Sequence, residues 1–155
     1  MLHKLVIGVL GATAVLFSTT AFAQGTAAEA KAMLEKTVAA IKADKAKTLD
    51  LINKGEGGFL DRDLYPFCSN ISDGKIVALG NPNAKQLLGV DAKTLKDANG
   101  KAYGLELLAA ANKPEGEITE VSYMFVRPGP DKTPVPKVSF ATKVGDLNCG
   151  VGYYK

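Results

Sequence analysis

VSYMFVRPGPDKTPVPKVSFATKV, residues 121–144, is the stretch from which the rest of this chain can be placed. Two runs rich in apolar, β-branched and aromatic residues flank RPGPDKTP, a connector with too much Pro and Gly to be anything but a turn. The pattern is that of a β-hairpin. On its first arm Tyr123, Phe125 and Arg127 share one parity, so an extended chain points all three to the same face. Two aromatics beside a cation can line a small anion pocket. On the second arm Lys137, Ser139 and Ala141 alternate with Val138, Phe140 and Thr142. Neither face is uniformly polar, which predicts that both are covered and that the hairpin lies inside a sheet, away from a free edge.

Working outward, the first residues have to be set aside from the folding problem. His3 and Lys4 precede an uncharged apolar run at 5–17, and Ala21-Phe22-Ala23 is a small-x-small cleavage pattern ahead of Gln24. This predicts a secretory signal peptide over residues 1–23, cleaved after Ala23, of a kind that suits bacterial export to the periplasm or beyond. A membrane anchor is the competing assignment, but the apolar run is short for a bilayer span. No later stretch has the length and apolarity to cross a membrane.

Residues 24–155 then form a single domain, long enough to bury roughly two-thirds of the surface that the unfolded chain exposes. Removing Lys4 from nineteen basic residues leaves eighteen against sixteen acidic ones, and the lysines are scattered. That argues against a nucleic-acid partner. The two cysteines, Cys68 and Cys149, both fall in the exported part and are expected to pair in an oxidising compartment. Two separate buried thiols are the alternative. A metal site is disfavoured because no histidine follows residue 24, and no cofactor is expected.

Along the mature chain, residues 27–54 carry Ala, Lys, Glu and Leu with no Pro or Gly. Ala30, Met33, Leu34, Thr37, Val38, Ile41, Leu49 and Ile52 recur at helical spacing, with a kink expected at 44–47 and a lysine-rich opposite face. Gly55 to Gly58 offer a left-handed cap. LYPFCS (64–69) and KIVAL (75–79) read as two strands around a Ser72-Asp73-Gly74 turn, with Pro66 at a margin or bulge. Residues 80–114 read as turns and short helices, the last over 103–112. DANG (97–100) lacks the later ligands of a calcium loop and is expected to be a structural turn. LNCGVGY (147–153) reads as the last strand, whose alternating glycines leave room for a group lying close against the sheet.

Taken in order, GGFLDRDLYPF (57–67), LGNP (79–82), LKDANGKAY (95–103), VSYMF (121–125), PKVSF (136–140) and GVGYY (150–154) resemble the Cache superfamily. These are PAS-like extracellular sensor domains, and the similarity is to the small single-module type of exported bacterial proteins. It spans about two-thirds of the mature chain. Phe125 stands where the family often has tryptophan. The resemblance implies an α+β fold: a five-stranded antiparallel sheet, a long N-terminal helix on one face, and a helical and loop crossover over a pocket on the other. First and last strands lie side by side in that order, which brings Cys68 and Cys149 within reach of a disulfide.

Such modules bind small organic anions such as short carboxylates. By that analogy the ligand contacts are Tyr123, Phe125 and Lys137, with Arg127 as a further candidate, each of which is otherwise an ordinary core or strand-end residue. The implied function is an exported, soluble, sensor-type binder without its own output domain, which reports to a membrane-bound signalling protein. A structural or protein-interaction module using the lysine face is the alternative. An enzyme is disfavoured: there is no histidine after residue 24, the cysteines are expected to pair, and no carboxylates stand at a suggestive spacing.

Overall fold

The computed structural model describes residues 23–155, so the expected signal peptide, apart from Ala23, lies outside the described residues. The chain runs α1 (Ala27–Ala43), α2 (Lys45–Lys54), β1 (Pro66–Asn70), β2 (Ile76–Leu79), two short 3-10 segments, α3 (Tyr103–Leu108) with a 3-10 extension, β3 (Thr119–Val126), β4 (Pro134–Val144) and β5 (Leu147–Tyr154). The five strands form one antiparallel sheet in the order β2-β1-β5-β4-β3. First and last strands are neighbours, as the family resemblance implies.

The expected kink in the N-terminal helix falls at Asp44. Its backbone N–H closes α1 on the Ala40 carbonyl, and its side chain accepts from the Lys47 N–H to start α2. Thr26 and Glu29 form a reciprocal capping box at the start of α1, and Gly55 ends α2 at φ 70°, a conformation in which a Cβ is penalised. The apolar stripe of the two helices covers one sheet face. Ala30, Met33 and Leu34 pack with Phe140 and Val151, while Ile41 and Ile52 pack with Cys68, Val144, Leu147 and Cys149. The lysines opposite are partly committed within the molecule: Lys42 pairs with Glu115, Lys45 with Asp146, and Lys36 donates to the Gly57 carbonyl.

Pro66 opens β1, the place in a central strand where a missing donor costs least, and the β1–β2 register slips between Cys68 and Ser69. One expectation is corrected. Only β4 lies inside the sheet; β3 is its edge, and Glu120 and Ser122 on its helix-side face are exposed. The apolar residues of β3 mislead because Val121, Tyr123 and Phe125 serve the other face, while Met124 and Val126, on the side of Glu120 and Ser122, are only half-buried. The free edge is closed by a loop: Asp97 accepts from the Met124 N–H at 2.9 Å, and Lys101 Nζ donates to the Ser122 carbonyl at 2.6 Å.

Cys68 and Cys149 are direct cross-strand partners in the β1–β5 ladder, with Cα atoms 4.1 Å apart, and they are joined by a disulfide. It closes a loop of 81 residues between completely buried positions. On the chain-entropy account such a loop contributes on the order of 4 kcal/mol. Reduction is therefore expected to lower the melting temperature by roughly 10 °C for a domain of this size, measured by calorimetry with and without reductant. An unchanged melting temperature would mean that packing alone holds the central strands.

Candidate functional site

The second sheet face converges on Lys137. From β4 it points, with Ser139 and Ala141, toward the crossover segment, and it is only 1% exposed. Its Nζ donates to the Tyr65 hydroxyl at 2.7 Å. Five rings surround the amine, with centroids at 4.1 Å (Tyr65), 5.1 Å (Tyr154), 5.2 Å (Phe125), 5.7 Å (Phe67) and 5.9 Å (Tyr123). A cation over ring faces is attracted by their quadrupoles, more strongly where water is excluded. Space for the long stem comes from β5: a Cβ at Gly152 would run into Lys137 Cε and Ser139 Oγ, and one at Gly150 would run into the Phe67 ring. The close approach expected at these glycines is thus made by the protein's own side chains.

A directed chain of hydrogen bonds leads away from the amine. Tyr65 accepts from Lys137 and, at 3.2 Å, from the Asn81 amide, while Tyr154 donates to the Val126 carbonyl at 2.6 Å. The 2.9 Å bond between the two tyrosine hydroxyls must then run from Tyr65 to Tyr154. Burial pushes the Lys137 amine down to about 7, with the negative charge of Asp63 acting the other way. Burial also drives Tyr65 and Tyr123 well up, so both stay neutral.

Above the sheet, Tyr103 stacks on Tyr123 with centroids 4.3 Å apart and rings parallel to within 1°, and Phe125 stands edge-on to both. The loop that delivers Tyr103 is DANG. Asp97 Oδ1 accepts from the N–H groups of Asn99 and Lys101 and Oδ2 from Met124, and these bonds, Met124 first, hold its carboxyl below the usual range. Its oxygens are thus committed to backbone. Next to the lysine cage lies a cavity of about 40 Å³ lined by Phe67, Leu79, Leu95, Tyr103, Tyr123 and Phe125 among others. On a scale of about 10–15 Å³ per water, it takes a chain of a few heavy atoms.

Of the residues singled out from sequence, Tyr123, Phe125 and Lys137 come together, Tyr123 being the direct partner of Lys137 in the β3–β4 ladder. The Tyr123 hydroxyl, however, bonds Ser139 Oγ at 2.9 Å, and the lysine bonds Tyr65 instead. Arg127 lies beyond the end of β3. Its guanidinium sits 5.2 Å over the Tyr154 ring and bonds the Lys155 carbonyl, with Asp63 3.9 Å away. Tyr65 was not singled out from sequence, although it shares the parity of Phe67 in the strand read at 64–69 and both rings face the amine. Tyr154 was reachable, since it shares the face of Gly150 and Gly152.

The chain matches the family model "Single Cache domain 2" over residues 12–154. No curated relative matches. Three solved structures share the fold. A methyl-accepting chemotaxis protein from Vibrio parahaemolyticus RIMD 2210633 superposes with a TM-score of 0.65 at 24% identity, covering 82% of this chain and 86% of that one. The periplasmic sensor domain of a chemotaxis protein gives 0.59 at 24%, covering 81% and 87%. A Cache chemosensory domain whose structure is described as the basis for its carboxylic acid recognition gives 0.57 at 22%, covering 81% and 85%.

The buried amine has a consequence for stability. Unfolded, Lys137 titrates near its ordinary value of about 10.5; folded, it titrates near 7. Between these values the unfolded chain binds the extra proton, so the stability of the wild type rises with pH across that window and is lowest below it. Lys137→Met keeps an unbranched stem and removes the charge. It is expected to gain on the order of a few kcal/mol over wild type at pH 6 and much less near pH 10, read from denaturant unfolding at both pH values. A difference independent of pH would mean that the amine is solvated.

Proposed function

This chain belongs to the single Cache domain 2 family, and from that premise we propose that it is an exported sensor-type domain binding a small organic anion, a short carboxylate, at Lys137. One observation carries the reading. A lysine amine is completely buried among five rings with a single hydrogen-bond acceptor, the Tyr65 hydroxyl, among the described residues. An ammonium has three donors, and a buried cation calls for an anionic partner. A carboxylate against Nζ supplies both acceptors and charge. The cavity beside the cage gives room for a short chain, with Tyr123 and Phe125 as its walls, while Arg127 is a further cation over the Tyr154 ring of the cage. A neighbour of the same fold recognises carboxylic acids, which supports the ligand class.

The signal-like segment and the chemotaxis neighbours support export, with residues 24–155 as the mature domain and a membrane-bound signalling protein as the recipient of the binding event. Among the described residues no helix is long and apolar enough to cross a membrane. The family match begins at residue 12, inside the segment read as signal. Intact mass of the exported protein decides the point: a chain starting at Gln24 supports cleavage, and one retaining Met1 makes it an anchored protein.

Binding is tested by a thermal-shift screen of short organic acids followed by calorimetric titration of wild type, Lys137→Met and Lys143→Met. Removing one partner of a buried charged hydrogen bond typically costs roughly 2–5 kcal/mol, about thirtyfold or more in affinity. Lys143 faces the same way six residues along β4, roughly 20 Å from the amine, and does not line the cavity, so its loss is expected to leave the contact at Lys137 in place. Only the ammonium form pairs with a carboxylate. With the free amine titrating near 7, affinity is expected to be full at pH 6 and to fall by about tenfold per unit above neutrality, with a proton taken up on binding. Equal affinity in all three proteins removes Lys137 from the site.

A further inference from the structure

The cavity beside the lysine cage has a second polar feature that carboxylate recognition leaves unused. Phe67, Tyr123 and Phe125 belong both to the cage and to the cavity wall, so the two spaces adjoin. The cavity also reaches Asn148 on β5. Asn148 is 1% exposed, and its Nδ2 donates to the Leu107 carbonyl at 3.1 Å. That bond settles which way the amide points, because a flipped amide would set oxygen against oxygen. Its Oδ1 is buried and has no hydrogen-bond partner among the described residues. An acceptor left unpaired in such a place is costly, and in a cavity it is a demand for a donor.

Apart from the Tyr hydroxyls and Ser69, the cross-strand partner of Asn148, the remaining lining is apolar, with Leu79, Leu95 and Leu107 in the walls, and no cationic side chain among the described residues lines it. A second carboxylate on the ligand would therefore be buried unpaired. A keto oxygen would face Oδ1 acceptor to acceptor, and an amino group would bring a cation where no carboxylate lines the wall. A hydroxyl is the group that fits. The register sets the span. Asn148 pairs with Lys143, and Lys137 with Tyr154, but the lysine stem lies over Gly152, which is four residues from Asn148. Four residues cover roughly 13 Å of strand, and the asparagine side chain together with two hydrogen bonds takes up much of that.

We propose that the acid held at Lys137 is a short ω-hydroxy monocarboxylate of about four or five carbons, its terminal hydroxyl donating to Asn148 Oδ1, an assignment that rests on the carboxylate reading of Lys137. Asn148 is then the residue that selects among acids, while Lys137 is the one that selects acids.

The experiment is calorimetric titration of the mature protein with 4-hydroxybutanoate and 5-hydroxypentanoate, their unsubstituted parents, and the corresponding ω-methoxy acids, which keep the oxygen and lose the donor. Wild type is expected to bind at least one hydroxy acid tenfold or more tighter than both its parent and its methyl ether. Asn148→Leu is expected to abolish that preference or reverse it toward the parent acid. The comparison of ligands on wild type stands whether or not the variant folds. If the acids bind in a Lys137-dependent manner without a preference for the hydroxyl, or if the preference survives Asn148→Leu, the Asn148 assignment is overturned and the carboxylate reading stands. If none of these acids nor any short acid binds, or if binding survives Lys137→Met, the carboxylate reading fails and takes the assignment with it.

Discussion

The pairing of β1 with β5 is the constraint on which the rest of the structure depends. It joins a strand near the start of the folded domain to the last one, so the sheet has no centre until the whole chain is present. The loop between Cys68 and Cys149 carries the crossover segment, the hairpin, and Lys137, Tyr123 and Phe125 of the cage, while Tyr65, Phe67 and Tyr154 lie just outside it. Closing so long a loop is entropically expensive, although the cost grows only slowly with length. Cys68 and Cys149 hold the ladder covalently at the point where it is most buried. The same ladder sets Phe67 opposite Gly150, where the ring occupies the space a Cβ would take.

The two faces of this sheet are finished by different chemistry. Beneath the helices the contacts are between aliphatic side chains, Phe59, Phe140 and a disulfide, an ordinary apolar core. On the other face the protein buries an amine, four tyrosines and two phenylalanines, with Tyr65 at the junction of the polar chain. Burying an amine under rings disfavours its charged form, and the negative charge of Asp63 opposes this only in part. A sheet can carry such an unbalanced face only because the opposite face supplies an ordinary core.

Parts of the structure far from the amine serve to hold the rings. Asn81 ties Tyr65 to the Val126 carbonyl, and Asn83 ties the carbonyls of Arg127 and Gly129, so the LGNP turn anchors the far end of the hairpin. Asp97 and Lys101 bind the edge of β3 from the other side and set Tyr103 flat on Tyr123. These contacts give physical content to stretches that, in sequence, looked like turns. The turn residues spend their side chains on backbone groups of a distant strand, which also protects the open edge.

The local regularities were legible in the chain by itself. Helical spacing of Ala30, Met33, Leu34, Thr37 and Ile41 located α1, and a helix break at 44–47 was visible because Asp and Lys interrupt the stripe. Strand parity put Tyr123, Phe125 and Arg127 on one face of the first arm, since alternation follows from backbone geometry alone, and the resemblance added Lys137 to them. The glycines at 150 and 152 announced a close approach without saying what approached. Strand order was carried by resemblance, because no local pattern fixes which strands pair. Tertiary structure alone decided that β3 is an edge, that Arg127 leaves the group for Asp63 and Tyr154, and that Tyr65 receives the lysine's hydrogen bond across 72 residues of chain. The physical reason is common to all three: hydrogen bonds and burial depend on distance in space, while a sequence displays only distance along the chain.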